Sequence, residues 1–319
     1  MSSQIVHAVE IAVAPEVSEA ARERHIPKTM FVYEKRRWPY LLVLPLMWLL
    51  TVYVMVKKAV YKALRLPDPK VNSLWFDGLG CSPRRVKEGA ASWQALDEIY
   101  NYDFKRPLSL AVMVDNFWEG MLNCQAVRNR FKLARQEVRR AILRFSNHEE
   151  VRLISLACGS AQAVIEIMAE FKAAGVTVRT ILVDIDQAAL DYACDLAVRY
   201  GVADQMETCR ASAAQVIKLS RGFKPQIVEM LGLLDYIPQD KAIRLAAKIH
   251  QSLESKGVFL TCNVAPNPEQ YFLKWVVNWP MIYRTAGDLA EISREAGFSD
   301  YRLIYEPLRI HGLLVAQKD

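Results

Sequence analysis

From Val151 to the C-terminus two hydrophobic periods alternate, and that alternation constrains the fold more than any other feature of the chain. "VRLISLAC", "TVRTILVDID", "QIVEMLGL" and "VFLTCNV" are short apolar runs with the density of buried strands. Between them, "QAVIEIMAEFKAAG", "AALDYACDLAVRYG" and "DKAIRLAAKIHQSLESKG" place apolar residues at the helical spacings of three and four. A further helix, "AGDLAEISREAGF", precedes two final strands near "DYRLIYE" and "HGLLVAQ". Repetition of strand and helix at this interval predicts an α/β, Rossmann-like doubly wound sheet, parallel where crossover helices join the strands.

Such sheets bind ligands beyond the carboxyl ends of their strands. Here the first strand ends in Ala157-Cys158-Gly159-Ser160 and hands over at once to a helix. Small side chains let a ligand approach the backbone, and the helix start offers free amides and a positive dipole end. Asp184, followed by Ile185, ends the next strand, where a carboxylate accepts hydrogen bonds from both hydroxyls of a ribose. Asp186 is better placed to cap the following helix. A single glycine does not make the G-x-G-x-x-G cradle of a dinucleotide site, and no Walker lysine–serine pair occurs, which disfavours a nucleotide-dependent oxidoreductase. The turn suits a nucleoside whose tail carries an amine and a carboxylate, namely S-adenosylmethionine.

Upstream, Trp38 to Val56 contains no charged residue, about the length that crosses a bilayer core. Lys35, Arg36 and Arg37 precede it; Lys57, Lys58, Lys62 and Arg65 follow. Between Arg22 and Arg65 ten Lys/Arg face two Glu, +8 net, against +6 for the whole chain, so the remainder carries −2. The basic balance therefore belongs to the apolar segment and fits anionic lipid, not nucleic acid. Pro39 and Pro45 weaken a straight spanning helix, and a helix lying in the interface is the alternative. Both flanks are basic, so charge fixes no orientation. The expectation is a membrane-associated protein, at the inner membrane with its catalytic domain cytoplasmic. The sequence divides into a polar tail (1–29), this segment (30–66), a helical cap (67–147) containing "SWQALDEIYNYDF" and "AVRNRFKLARQEVRRAILRF", and the sheet domain (148–319). Six cysteines without CxxC spacing suggest neither zinc nor a disulfide framework, and no metal site is expected. Nothing in the sequence speaks to oligomeric state.

From about Val151 onward the chain resembles class I S-adenosylmethionine-dependent methyltransferases: "LISLACGS" matches their first motif and "TILVDID" their second. "MLGLLDYIPQDKAIRLAAKIHQSLESKGVFLTCNVAPN", "YFLKWVVNWPMIYRTAGDL" and, in the cap, "AVRNRFKLARQEV" resemble a bacterial subgroup that makes 3-hydroxypalmitic acid methyl ester, an extracellular signal. The resemblance implies that Ala157, Cys158, Gly159 and Ser160 face the methionine part of the cofactor, that Asp184 holds its ribose, and that Leu231 and Gly232 line the sulfonium. Many family members place an acid beside the adenine; this chain has Ser212 there, so the serine or a backbone group must serve.

Asp235, Tyr236, Tyr283 and Arg284 are the candidate catalytic groups near the strand ends, and Asn263 and Trp279 line the acceptor side. A fatty-acid carboxylate is ionised at neutral pH and needs no base; Arg284, or Arg128 and Arg130 in the cap, would orient it. The five histidines fall in no motif, which disfavours a histidine base. The expected reaction is O-methylation of an apolar small molecule, a hydroxy fatty acid, drawn from membrane lipid. Two other classes fit the same residues. One is non-methyl use of S-adenosylmethionine, by ring closure to azetidine-2-carboxylate or aminocarboxypropyl transfer. The other is a non-catalytic binding module anchored at a membrane.

Overall fold

A computed structural model describes residues 31–69, 78–106 and 108–319. The polar tail expected over 1–29 lies outside the described residues. Among the described residues five helices precede the sheet: α1 (Trp38–Ala63), α2 (Ser82–Glu88), α3 (Trp93–Tyr100), α4 (Leu110–Glu119) and α5 (Leu122–Phe145). The sheet then begins. Its strands are β1 (Val151–Leu156), β2 (Val178–Asp184), β3 (Met206–Arg210), β4 (Ile227–Met230), β5 (Val258–Val264), β6 (Asp300–Tyr305) and β7 (His311–Gln317). Between them run α6 (Gln162–Ala173), α7 (Gln187–Arg199), α8 (Val216–Ser220), α9 (Gln239–Ser252) and α10 (Ala286–Glu295).

The strand order is β3-β2-β1-β4-β5-β7-β6. β1 to β5 are parallel, and β7 slots antiparallel between β5 and β6. Because these strands run parallel, the carboxyl ends of β1, β2, β4 and β5 gather along one edge. The antiparallel insertion brings the start of β7 to that same edge, with His311 opposite Val264.

Alternate strand residues feed two cores. Leu153 and Leu182 pack with Ile165 and Phe171 of α6 on one face. Ile154, Leu156 and Val183 pack with Ile249 of α9 and Leu289 of α10 on the other. α5 supplies Val138, Ile142 and Phe145 to the first of these, so the boundary expected at residue 147 falls inside one continuous core.

A third cluster joins α1 to the body. Tyr40, Met47 and Val54 pack with Trp118, Leu122, Phe272 and Val276. The last two belong to a short helix, Gln270–Phe272, that runs into a π-helical turn, Leu273–Val277. Trp118 and Phe272 stack at 5.4 Å between ring centroids.

Candidate active site

The turn after β1 folds back on itself through three left-handed residues, Ala157 (φ 50), Gly159 (φ 54) and Ala161 (φ 49). Each alanine in this region costs roughly 1–2 kcal/mol, which only a functional or tightly packed loop retains. The Gly159 amide donates to Asp184 Oδ2 at 2.9 Å, and Asp184 Oδ1 accepts the Asp186 amide at 3.0 Å. Two backbone donors thus fix the carboxylate at the end of β2. A methyl group on Gly159 would sit 3.1 Å from Trp93 Cβ, so glycine answers both the dihedral and the space. No side chain caps the first turn of α6, leaving its amides facing the turn.

Helix α3 closes over this edge. Trp93 Nε1 donates to Asp186 Oδ2 at 3.0 Å, and its ring packs on Tyr192 of α7 at 4.8 Å. Beneath it lies a cavity of about 330 Å³. The turn and strand ends supply Ala157, Gly159, Asp184, Ile185 and Asp186; the loop after β4 supplies Leu231, Gly232, Asp235 and Tyr236. Most of the remaining wall is apolar and comes from the cap and the π turn, with Val86, Ile99, Trp118, Val127, Leu273 and Val277; Glu119, Asn123, Arg130 and His311 interrupt it. A smaller cavity of about 70 Å³, reached past Trp93 and Arg130, runs under the turn and is lined by Cys158, Ser160, Ser155, Tyr100 and Glu229.

A family described as "Putative methyltransferase" matches residues 50–318. The chain belongs to this methyltransferase family. Among solved structures, a protein from Bordetella parapertussis described as a possible exported protein is similar, with TM-score 0.62 at 18% identity, over 74% of this chain and 86% of that one. Magnesium protoporphyrin IX methyltransferase from Synechocystis PCC 6803, solved with bound S-adenosylmethionine, gives TM-score 0.51 at 14% identity, over 74% and 95% of the two chains. At these identities the likeness is one of fold. No curated protein matches the sequence.

Of the charged groups lining the larger cavity, Glu119, Arg130 and Asp235 are buried, whereas Asp184 is half-buried and Asp186 exposed. Arg130 lines both cavities; its described partners are the Tyr100 hydroxyl at 2.5 Å and the Cys262 sulfur at 4.0 Å. Burial opposes its charge, yet Tyr100, Cys262 and Asp235 around it raise its pKa and keep it cationic. Burial pushes Glu229 up to about 7 and Asp235 up to about 6, the latter against the pull of Arg130. Glu229 also accepts from Ser155, and Asp235 Oδ1 accepts the Val264 amide at 2.8 Å. His311 lines the larger cavity, and its Nδ1 is buried without a hydrogen-bond partner among the described residues. Burial and then the Arg130 charge hold its pKa well below the usual imidazole value, so the ring is neutral.

The turn residues, Asp184, Ile185, Leu231, Gly232, Asp235, Tyr236, Trp279 and Arg130 therefore converge on one space. Asp186 caps α7 by accepting the Ala188 amide, in line with the sequence. Trp279 donates to the Tyr236 hydroxyl at 2.7 Å and forms an apolar wall.

Other expected contacts do not reach the cavity. Arg128 and Arg130 stand two residues apart on a helix, about 200° around its axis. Arg128 consequently faces away, where it forms an ion pair with Glu34 at 2.7 Å and donates to the Glu119 carbonyl. Arg284 is buried and bonded to Gln239, the Leu234 and Ile237 carbonyls and Asn263, so it braces the loop after β4 and is not set out to hold a carboxylate. Asn263 is part of the same brace, donating to the Ile282 carbonyl. Tyr283 contacts the Gln270 carbonyl at 3.4 Å outside the cavity lining. Ser212 accepts the Ala214 amide and is exposed, capping a turn away from both cavities.

Trp93, Tyr100, Glu229 and His311 are site residues that the sequence reading missed. Only Glu229 left a signal, as a carboxylate inside the apolar run "QIVEMLGL".

Proposed function

We propose that this methyltransferase transfers a methyl group from S-adenosylmethionine to an oxygen of an apolar small molecule bearing a carboxylate, with a hydroxy fatty acid as acceptor. One observation carries the reading: an apolar cavity, continuous with the Gly159–Asp184 turn, that contains a buried guanidinium with no ion-pair partner among the described residues. The turn fits the cofactor, because its small side chains line open space on both sides of the carboxylate that its Gly159 amide helps to fix at the end of β2. S-adenosylmethionine, when bound, supplies a methyl group already activated on a sulfonium. Asp184 would accept from the ribose hydroxyls, and Glu229 in the smaller cavity would face the cofactor ammonium.

The acceptor side belongs to this chain's residues. Arg130 would bind one carboxylate oxygen by a charge-assisted hydrogen bond, leaving the other free to attack. Val127, Trp118, Leu273 and Val277 would take the hydrocarbon chain. The neutral His311 ring, with a vacant acceptor site, would receive a hydrogen bond from the hydroxyl. Removing water from this site makes positioning the main contribution, since neither reactant then needs further activation. The same reading puts the catalytic body at the cytoplasmic face of the inner membrane, where a fatty acid partitions.

Incubation with methyl-labelled S-adenosylmethionine and 3-hydroxyhexadecanoate, read by mass spectrometry, tests this. Labelled methyl ester and S-adenosylhomocysteine in equal amounts are expected. Methylthioadenosine accumulating without any acceptor would replace methyl transfer with ring closure of the cofactor's own amino-acid tail.

A further inference from the structure

Helix α1 touches the body along one stripe only. Tyr40, Met47, Thr51 and Val54, at spacings of seven, four and three, are its buried residues. Tyr40 reaches so close to Gly120 that a Cβ there would meet its hydroxyl at 1.6 Å, and its ring lies 5.6 Å from Phe117. Further along, Trp48 packs on Tyr271 at 6.2 Å, and Lys58 sits over Trp275 at 5.9 Å.

The opposite face carries Trp38 (73% exposed), Leu42 (70%), Leu49 (69%), Tyr53 (61%), Val56 (57%) and Val60 (48%). These residues form an uninterrupted apolar ridge of about 33 Å at 1.5 Å per residue. A water-soluble surface rarely shows so long an apolar row. Its cations are arranged around it, not on it. Arg36 and Arg37 stand before the first turn, Lys57 on a flank of the last turns, Lys62 past the end of the buried stripe, and Arg65 just beyond, with no acid in the first turn.

We infer that α1 is an interfacial helix that lies in the plane of an anionic bilayer, its Trp38–Val60 ridge sunk into the acyl boundary and its flanking cations among the headgroups. Charge complementarity selects anionic lipid as the occupant. The buried stripe selects the orientation. From Tyr40 to Val54, about 21 Å of helix is fixed to the body, by the cap and by the Gln270–Val277 segment. A spanning α1 would carry the polar surface of that cap into hydrocarbon, at several kcal/mol per charged group. Lying flat costs none of this, and gains burial of the ridge at roughly 25 cal/mol per Å².

This orientation bears on the cavity. Tyr271 and Trp275 contact α1, while Leu273 and Val277 of the same turn line the cavity. One turn of chain therefore meets the membrane helix on one side and the apolar wall on the other. The lipid docking stands on the ridge and its charges alone; only the entry of the acceptor from the bilayer rests on the function proposed above.

Full-length protein and vesicles of phosphatidylcholine with phosphatidylglycerol at about 3:1 provide the test. Sedimentation with these vesicles is expected, with binding about tenfold weaker to phosphatidylcholine alone. Leu42→Glu with Leu49→Glu should reduce binding by at least about tenfold while leaving the unfolding temperature unchanged, because both side chains face outward. Nitroxide labels on Leu42→Cys, Leu49→Cys and Val56→Cys, measured against the protein without an added cysteine, should all report one shallow depth. A depth that peaks at position 49 would mean a spanning helix and would overturn the inference. So would failure to bind vesicles, or a dimer that Leu42→Glu with Leu49→Glu splits in the absence of lipid. Vesicle binding without any ester formation would sink the acceptor reading and leave the docking intact.

Discussion

At the scale of single residues, the buried ionisable groups make the sharpest claims. Arg130→Met should weaken binding of 3-hydroxyhexadecanoate by about 1.5–3 kcal/mol, the range for a hydrogen bond to a charged group. Affinity for S-adenosylmethionine should stay within about twofold by calorimetry; a fall in cofactor affinity instead would assign the guanidinium to the methionyl carboxylate. Glu229 makes a claim about pH. Its carboxyl is pushed up to about 7 in the folded protein, above an unfolded value near 4.5. The folded state therefore holds the proton more tightly. The stability this contributes is full below about pH 4.5 and is lost as pH rises through 7, up to about 3 kcal/mol. Glu229→Gln should flatten the decline in thermal stability between pH 5 and 8, and an unchanged slope would refute the shift. Asp184 and Gly159 were legible in the sequence because a small-residue turn and a strand-end carboxylate are local patterns. His311 was not: its meaning comes from β7 entering antiparallel beside β5, a non-local pairing that no spacing within "HGLLVAQ" encodes.

At the scale of elements, helix faces decide roles that a residue list cannot. The sequence grouped Arg128 with Arg130, but a helical step of about 100° sends one to Glu34 and the other to the cavity. Arg284 met a comparable fate. It follows β5 by enough chain to fold under the loop after β4, and four framework bonds occupy it. The strand–helix alternation was legible for every strand but β3, since period two or continuous burial in strands contrasts with 3.6 in helices. β3 left a weaker trace, because its "METCR" sits at a sheet edge and is mostly polar and exposed. The seam between α1 and α4 yields a separate prediction. Gly120→Ala would drive a methyl into the Tyr40 hydroxyl and should cost about 1–3 kcal/mol of stability. Adding Tyr40→Phe removes the clashing oxygen and should recover part of that loss. Additive losses in the double variant, measured by thermal unfolding, would mean the two residues do not meet.

Considered whole, the molecule does not separate into an anchor and a soluble enzyme. The sequence divides the apolar segment from the cap after residue 66. Yet Tyr40, Met47 and Val54 of α1 share a core with Trp118, Leu122 and Phe272, and Arg128 is paired with Glu34. A chain beginning at Asp68 would uncover that apolar seam and leave Arg128 without one of its carboxylates. It should unfold at lower temperature and aggregate, by light scattering, more readily than the full chain; an equally stable, monodisperse product would show the seam to be dispensable. The same seam sets a timetable for synthesis. About 200 residues separate α1 from the Gln270–Val277 turn that covers its inner stripe. At 5–20 residues per second, a ribosome needs roughly 10–40 s to deliver that turn after α1 has emerged. For that interval the inner stripe of α1 is exposed beside its apolar ridge and without its final partners, which favours a nascent chain shielded by a chaperone or already resting on a membrane before its own catalytic body exists.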